Sequence, residues 1–156
     1  MVFSMVREVK KEGIGKRPSV LSEWYRRTLG PRFAITDIDW LITNIDNKDP
    51  KTRYLIIEEK NVSSFDSLLI GLGPFRSLKE LATDIVKENI PILVVFIKEM
   101  DISQGVYVYE FDAKDVDDKS LWVKVGGSWY SDVKSKSTFL SEKELAQLIK
   151  EKTEKR

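Results

Sequence analysis

The chain has 156 residues, with 26 lysines and arginines against 25 aspartates and glutamates, and it contains neither cysteine nor histidine. This length predicts one domain that is large enough to bury its own core. The absence of cysteine excludes disulfides, iron–sulfur clusters and thiol nucleophiles, and the absence of histidine excludes a Ser-His-Asp triad and histidine-bound metals. Any catalysis must use carboxylates, lysine, tyrosine or a metal ion.

Hydropathy predicts a protein without a membrane partner. No apolar run approaches the ~18 residues of a membrane span, and the first residues lack the apolar core of a signal peptide. We therefore expect a cytoplasmic protein. The cysteine-free, lysine-, glutamate- and isoleucine-rich composition is also typical of thermophilic proteins.

The N-terminal part is predicted to contain a basic segment and one helix. Residues 1–15 are expected to form a flexible basic segment, and residues 153–156 a frayed C-terminus, so that residues 16–152 make up the single domain. A helix is predicted after Pro18, ending before Gly30 and Pro31. Apolar residues at near-helical spacing include Trp24 and Tyr25, which are therefore predicted to lie in the core.

Charge is distributed unevenly along the chain. Residues 1–36 contain eight basic and three acidic side chains, a net charge of +5, so residues 37–156 carry 18 basic and 22 acidic side chains, a net charge of −4. Such a basic region suits a partner with a phosphate backbone, such as DNA, although it could also simply keep a helix solvated. The candidate DNA-binding residues are Lys16, Arg17, Arg26, Arg27 and Arg32.

Two short β-rich runs, residues 38–42 and 54–60, flank a stretch of turn-forming residues and predict an antiparallel hairpin. If the loop is centred near Lys48, Asp39 lies roughly opposite Glu58. Side chains alternate along a strand, so Lys60 emerges on the same face as Glu58, whereas Glu59 points to the other face. The hairpin therefore predicts an Asp, a Glu and a Lys that converge.

Two adjacent carboxylates can hold Mg²⁺ or Mn²⁺, and a nearby lysine can neutralise charge during phosphodiester hydrolysis. The alternative is an ordinary solvent-facing pair of Glu58 and Lys60 at the end of an edge strand. The aliphatic run at residues 55–57 favours the metal site, because it predicts a strand buried on both faces, where charges need a partner or a task.

The arrangement of Asp39 and then Glu58, Glu59 and Lys60, with a spacing of 58 − 39 = 19 residues, resembles the PD-(D/E)xK signature of restriction-endonuclease-like nucleases. The resemblance covers roughly residues 16–111. It implies that Asp39 and Glu58 bind the metal with the main-chain carbonyl of Glu59, that Lys60 assists the attacking water, and that Glu23 adds a helical carboxylate. It also implies a possible homodimer.

This chain departs from the signature in two ways. Ile38 stands where the proline would precede Asp39, and Asp37 competes for the aspartate role on the same face. The first glutamine after Lys60 is Gln104, so the RecB-like branch of the superfamily is not supported.

Downstream, residues 61–74 are predicted to form a linking segment, residues 77–89 a helix, and residues 92–97 a buried strand parallel to a neighbour. Residues 106–111 predict a further strand. The acidic stretch at residues 112–118 lacks the glycine and terminal glutamate of a calcium loop, so a solvated turn is favoured.

Residues 121–125 and 128–130 predict a hairpin with a Gly-Gly turn. Its aromatic residues are expected to cap a core or form a dimer contact, with base stacking as the alternative. Ser141 and Glu144 form a capping-box pattern at the start of a last helix, which we expect to fray from Glu151.

The sequence therefore predicts an α/β domain with a restriction-endonuclease-like core, a central mixed sheet of about four to six strands flanked by helices. The predicted function is a Mg²⁺- or Mn²⁺-dependent endonuclease acting on DNA. The alternatives are a catalytically inactive nucleic-acid- or protein-binding subunit with the same fold, and a nuclease for branched DNA or RNA.

Overall fold

A computed structural model describes residues 38–81 and 90–154, together with Trp24, Arg27 and Thr28. The chain divides into two compact units, Met1–Asp37 and Ile38–Arg156. In the first unit, the three described residues have helical conformation and are exposed. Trp24 is 46% exposed, so its predicted place in a core is wrong. The predicted flexible segment, residues 1–15, lies outside the described residues.

The second unit contains eight strands and three helices within its described residues. The strands are β1 (Trp40–Thr43), β2 (Tyr54–Val62), β3 (Leu69–Gly71), β4 (Ile92–Lys98), β5 (Val106–Glu110), β6 (Val123–Val125), β7 (Ser128–Asp132) and β8 (Thr138–Leu140). The helices are α1 (Leu72–Lys79), α2 (Lys114–Asp117) and α3 (Glu142–Thr153). Three short 3-10 turns are Ile102–Gln104, Lys119–Leu121 and Lys134–Lys136.

Five strands form a mixed sheet in the order β1-β2-β4-β5-β8. Strands β2 and β4 are parallel, and the other neighbours are antiparallel. This arrangement confirms the predicted α/β class with a central mixed sheet. A second sheet, in the order β3-β7-β6, was not predicted. Its β6–β7 hairpin turns at Gly126 and Gly127, as the sequence indicated.

The predicted hairpin at β1 and β2 is confirmed, with Trp40 paired to Ile57 and Thr43 paired to Tyr54. Strand β2 is buried on both faces, as its aliphatic run predicted. On one face, Ile56 belongs to a cluster with residues of α1 and of the second sheet. On the other face, Leu55 and Ile57 belong to a cluster that includes Leu145 of α3. The main sheet therefore lies between two apolar layers.

Helix α1 begins at Leu72, five residues before the predicted start at Ser77. The sequence suggested a turn at Gly73 and Pro74, but Pro74 lies in the first helical turn. There its missing N–H removes no intrahelical hydrogen bond. Residues 82–89, the rest of the predicted helix, lie outside the described residues.

The capping box predicted at the start of α3 is confirmed: Ser141 Oγ accepts from the Glu144 N–H, and Glu144 Oε1 accepts from the Ser141 N–H. Helix α3 continues to Thr153, beyond Glu151, and residues 155–156 of the segment predicted to fray lie outside the described residues. Thr153 is only 3% exposed, and the loop between β1 and β2 covers it. The end of the helix is therefore held by tertiary contacts.

Candidate functional site

Asp39 and Glu58 lie next to the last pair of the β1–β2 ladder, where the hairpin opens. Strand β1 begins at Trp40, which pairs with Ile57, and Asp39 lies in a bend immediately before the strand. Trp40 and Ile42 pack against the cluster on the α3 side of the sheet. Side chains alternate along a strand, so Glu58, the neighbour of Ile57 on β2, belongs to the α1 side.

Lys60 follows Glu58 by two residues on β2 and therefore lies on the same side of the sheet, opposite Phe96 of β4. Asp39, Glu58 and Lys60 are all half-buried. The structure thus sets Glu58 and Lys60 on one side of the sheet, with Asp39 at the neighbouring β1 edge. The pairing of β2 with the buried strand β4 holds Glu58 and Lys60 on a rigid element.

The side chain and the main chain of Glu59 make contacts in different directions. Its Oε1 accepts a hydrogen bond from Trp40 Nε1 at 3.3 Å, so its side chain belongs to the α3 side. Its main-chain N–H donates to Asp39 Oδ2 at 2.8 Å. In a strand the N–H and C=O of one residue point to the same edge, so the carbonyl of Glu59 is also directed toward the β1 edge. Sequence reasoning missed Trp40 here, because nothing in its spacing indicates a hydrogen bond.

The oxygen donors at this position suit a hard cation. Mg²⁺ is usually held by one or two carboxylates together with waters, and Asp39, Glu58 and the Glu59 carbonyl offer only oxygen ligands. Oε1 of Glu58 is shielded from solvent. Within the part of the chain that the structure describes, no group of three or more acidic residues is placed to hold a metal. A metal bound here would rely on two carboxylates.

Several predicted site residues lie outside the described residues: Glu23, Lys16, Arg17, Arg26, Arg32 and the competing Asp37. Arg27 is described, helical and exposed. It belongs to the first unit, whereas Asp39, Glu58, Glu59 and Lys60 belong to the second.

Tyrosine is one of the residue types that could take part in catalysis in a chain without histidine. The contacts of Tyr109, however, give it a structural role. Its hydroxyl donates to Asp115 Oδ2 at 2.8 Å, and the same carboxylate oxygen lies 3.1 Å from Lys136 Nζ. Burial and then the hydrogen bond to Asp115 raise the pKa of Tyr109 well above its ordinary value. Tyr109 therefore stays protonated, and it ties α2 to the main sheet. The acidic stretch at residues 112–118 suggested a solvated turn, but Asp115 contacts Tyr109 and Lys136.

The aromatic residues of the β6–β7 region divide between the core and the surface. Trp122 is buried and donates to the main-chain carbonyl of Asp115 at 2.8 Å, so it caps the core as predicted. Trp129 and Tyr130 are 45% and 37% exposed. Lys124 Nζ lies 5.9 Å from the centre of the Trp129 ring, within the range of a cation–π contact.

Comparisons with protein-family models, with curated proteins and with solved structures gave no match. Among the described residues, no helix has the length and apolar character needed to cross a membrane. The interpretation of the site therefore depends on its own geometry.

Proposed function

We propose that the protein is a divalent-metal-dependent nuclease that hydrolyses phosphodiester bonds in DNA. The observation that carries this proposal is the open end of the β1–β2 hairpin, where the Asp39 carboxylate accepts a hydrogen bond from the Glu59 N–H and therefore lies beside Glu58. Two carboxylates held close together repel one another and are destabilising unless a cation lies between them. A bound Mg²⁺ or Mn²⁺ would remove this repulsion.

Each residue of the site has a distinct proposed role. Asp39 and Glu58 hold the metal together with the main-chain carbonyl of Glu59, and the metal supplies an activated water and charge neutralisation at the phosphoryl oxygen. The ammonium group of Lys60 orients that water or neutralises charge that develops on the phosphate. Trp40 keeps the Glu59 side chain on the opposite side of the sheet. This is the division of roles in the PD-(D/E)xK nucleases that the sequence resembles.

The basic residues of the first unit complete the proposal. Lys16, Arg17, Arg26, Arg27 and Arg32 would contact backbone phosphates, which gives salt-dependent binding without sequence preference. Glu23 would hold a second ion or orient a water molecule. Cutting both strands of a duplex would suit a homodimer that presents two sites.

The test is cleavage of supercoiled, linear, branched and single-stranded DNA, and of RNA, with Mg²⁺, Mn²⁺ or EDTA. Glu58→Gln should abolish EDTA-sensitive cutting. Glu59→Gln is the matched control, because glutamine can still accept the hydrogen bond from Trp40 and the main-chain carbonyl is unchanged. Comparison of Asp39→Asn with Asp37→Asn identifies the aspartate that is required. Equal cutting by wild type and Glu58→Gln would refute the site.

The second candidate function is a nucleic-acid- or protein-binding subunit that does not cleave. One observation favours it: Asp39 Oδ2 already accepts a hydrogen bond from the Glu59 N–H. Retention of DNA that is independent of metal, without cleavage under any condition, would support this function over the nuclease.

A further inference from the structure

A groove lies on the opposite side of the main sheet from Glu58 and Lys60. It has a volume of about 450 Å³ and is lined by residues of β5, β8 and α3 and by Lys136. This volume is within the range of roughly 300–1,000 Å³ that is typical of small-molecule sites. Val108 on its floor packs in the same cluster as Leu55 and Ile57, which establishes the side of the sheet. The groove is therefore separate from the proposed metal site.

One wall of the groove is a single face of α3. The lining residues Glu144, Gln147, Leu148 and Glu151 follow one another at intervals of three, one and three residues. Residues at these intervals lie on one side of a helix. The floor is apolar, because buried Val108 and the half-buried Leu140 and Leu148 contribute to it. A ligand here would rest an apolar body between the helix and the sheet.

The charge of the lining selects a cation. Three carboxylates, those of Glu110, Glu144 and Glu151, and one ammonium group, that of Lys136, give a net charge of −2. Lys136 is already engaged by Asp115 at 3.1 Å, and Glu110 is paired with Lys152. The two glutamates of α3 therefore determine the charge that a ligand would meet.

Each of these two glutamates uses one oxygen within the protein. Oε1 of Glu144 accepts from the Ser141 N–H at 3.0 Å, and Oε1 of Glu151 accepts from Gln147 Nε2 at 3.3 Å. A carboxylate has two oxygens and about four acceptor positions, so both side chains can accept further hydrogen bonds from an ammonium group. These contacts also hold the two carboxylates in place along the helix.

The spacing of Glu144 and Glu151 along α3 indicates the length of the ligand. Glu144 and Glu151 are seven residues apart, which corresponds to about 10.5 Å along a helix. The terminal ammonium groups of extended spermidine are separated by nine bonds of about 1.5 Å in a zigzag, which spans about 11 Å. We propose that this groove binds an elongated aliphatic cation of the linear polyamine class, with its methylene groups on the apolar floor and its terminal ammonium groups at Glu144 and Glu151.

The test is isothermal titration of the full chain with spermidine and with 1,3-diaminopropane, which has the same terminal groups at a shorter spacing. Spermidine should bind saturably with a Kd in the range of about 0.1–10 mM, and the short diamine should bind more weakly. Glu144→Gln and Glu151→Gln should each weaken spermidine binding by about threefold to fivefold, which is the effect of one exposed ion pair. Glutamine also preserves the capping box at position 144.

Glu142→Gln is the matched control, because Glu142 is an exposed carboxylate of α3 that does not line the groove. Its affinity for spermidine should equal that of wild type. Equal weakening by Glu142→Gln would show that spermidine binds through general charge attraction, and it would overturn the proposal. The proposal also fails if spermidine and the short diamine bind equally, or if a lysine-rich peptide binds saturably and spermidine does not. Circular dichroism verifies that each variant is folded.

Discussion

Asn47, in the loop between β1 and β2, donates a hydrogen bond from Nδ2 to the main-chain carbonyl of Thr153 at 2.8 Å, across 106 positions of sequence. The same amide nitrogen donates to Thr52 Oγ1, and its oxygen accepts from the Asp49 N–H. The last carbonyls of a helix have no partner within the helix. One buried side chain therefore shapes the hairpin loop and closes the end of α3.

Replacement of Asn47 by alanine should destabilise the protein by about 1–3 kcal/mol, because it removes the Asn47 contacts to the Thr52 hydroxyl and the Asp49 N–H and leaves Asn44 Nδ2, at 3.2 Å, as the remaining side-chain donor to the Thr153 carbonyl. Urea denaturation monitored by circular dichroism measures this loss. Asp46→Ala, in the same loop but exposed, should stay within about 0.5 kcal/mol of wild type. Equal stabilities of the Asn47 and Asp46 variants would contradict the structural role of the amide.

Asp39 has a structural contact as well as its proposed role in metal binding. Asp39 Oδ2 accepts a hydrogen bond from the Glu59 N–H at 2.8 Å. Asp39→Ala should therefore lower the free energy of unfolding by about 1–2 kcal/mol, whereas Asp39→Asn keeps an acceptor oxygen and should cost less. Chemical denaturation separates the two variants. For this reason Asp39→Asn is the variant to use in cleavage assays.

The turn after β4 contains backbone strain. Glu99 and Met100 both have positive φ, +51° and +59°, and the turn is closed by a hydrogen bond from the Asp101 N–H to the Lys98 carbonyl at 3.0 Å. Glycine adopts such angles without steric cost, whereas other residues lose about 1–2 kcal/mol.

Met100→Gly should therefore raise the free energy of unfolding by about 0.5–1 kcal/mol, measured by thermal and urea denaturation. Met100→Ala is the control, because alanine keeps the Cβ atom and with it the strain. A stability gain of the same size in both variants would show that loss of the exposed methionine side chain, and not backbone strain, is the cause.

The stability of the first turn of α3 should depend on pH, because Glu144 takes part in its capping box. Hydrogen bonds from the Ser141 N–H and then from the Ser141 side chain hold the pKa of Glu144 below its ordinary value of 4.5. A pKa that is lower in the folded than in the unfolded state contributes stability above pH 4.5 and loses it as the pH falls through the folded pKa. The helix start should therefore loosen below pH 4.5.

Carboxyl NMR titration of Glu144 measures this pKa directly, and hydrogen exchange of the first turn of α3 follows the loosening. Ser141→Ala removes the side-chain hydrogen bond and should raise the Glu144 pKa toward 4.5. A wild-type pKa at or above 4.5 would contradict the capping box as its cause.

Strands with strong local patterns were predictable, whereas short elements were not. The continuous apolar run of β4 indicated an inner strand, and its pairing with β2 is parallel, as predicted. In contrast, β3 has only three residues, of which only Ile70 is buried, and its flanking turn formers suggested a linking segment. It is a strand because β7 pairs with it and because Asp132 Oδ1 accepts from the Leu68 N–H.

The candidate site shows the same division. Alternation and loop length were sufficient to predict the β1–β2 hairpin and the shared side of Glu58 and Lys60, because a hairpin register is determined by the turn and by the apolar pattern. The hydrogen bond from Trp40 to Glu59 and the groove beside α3 were not predictable. The groove combines Glu110 of β5 with residues of a helix more than thirty positions later, and no local pattern relates these segments.

The sequence by itself determined which segments alternate, which are buried and where α3 begins, because these properties depend on neighbours within a few residues. It also determined that any chemistry proceeds without histidine or cysteine. Only the tertiary structure decided that β3, β6 and β7 form a second sheet, that Asn47 closes α3, and that Glu144 and Glu151 border an apolar groove. These relationships join residues far apart in the chain, and the packing of one element on another determines them.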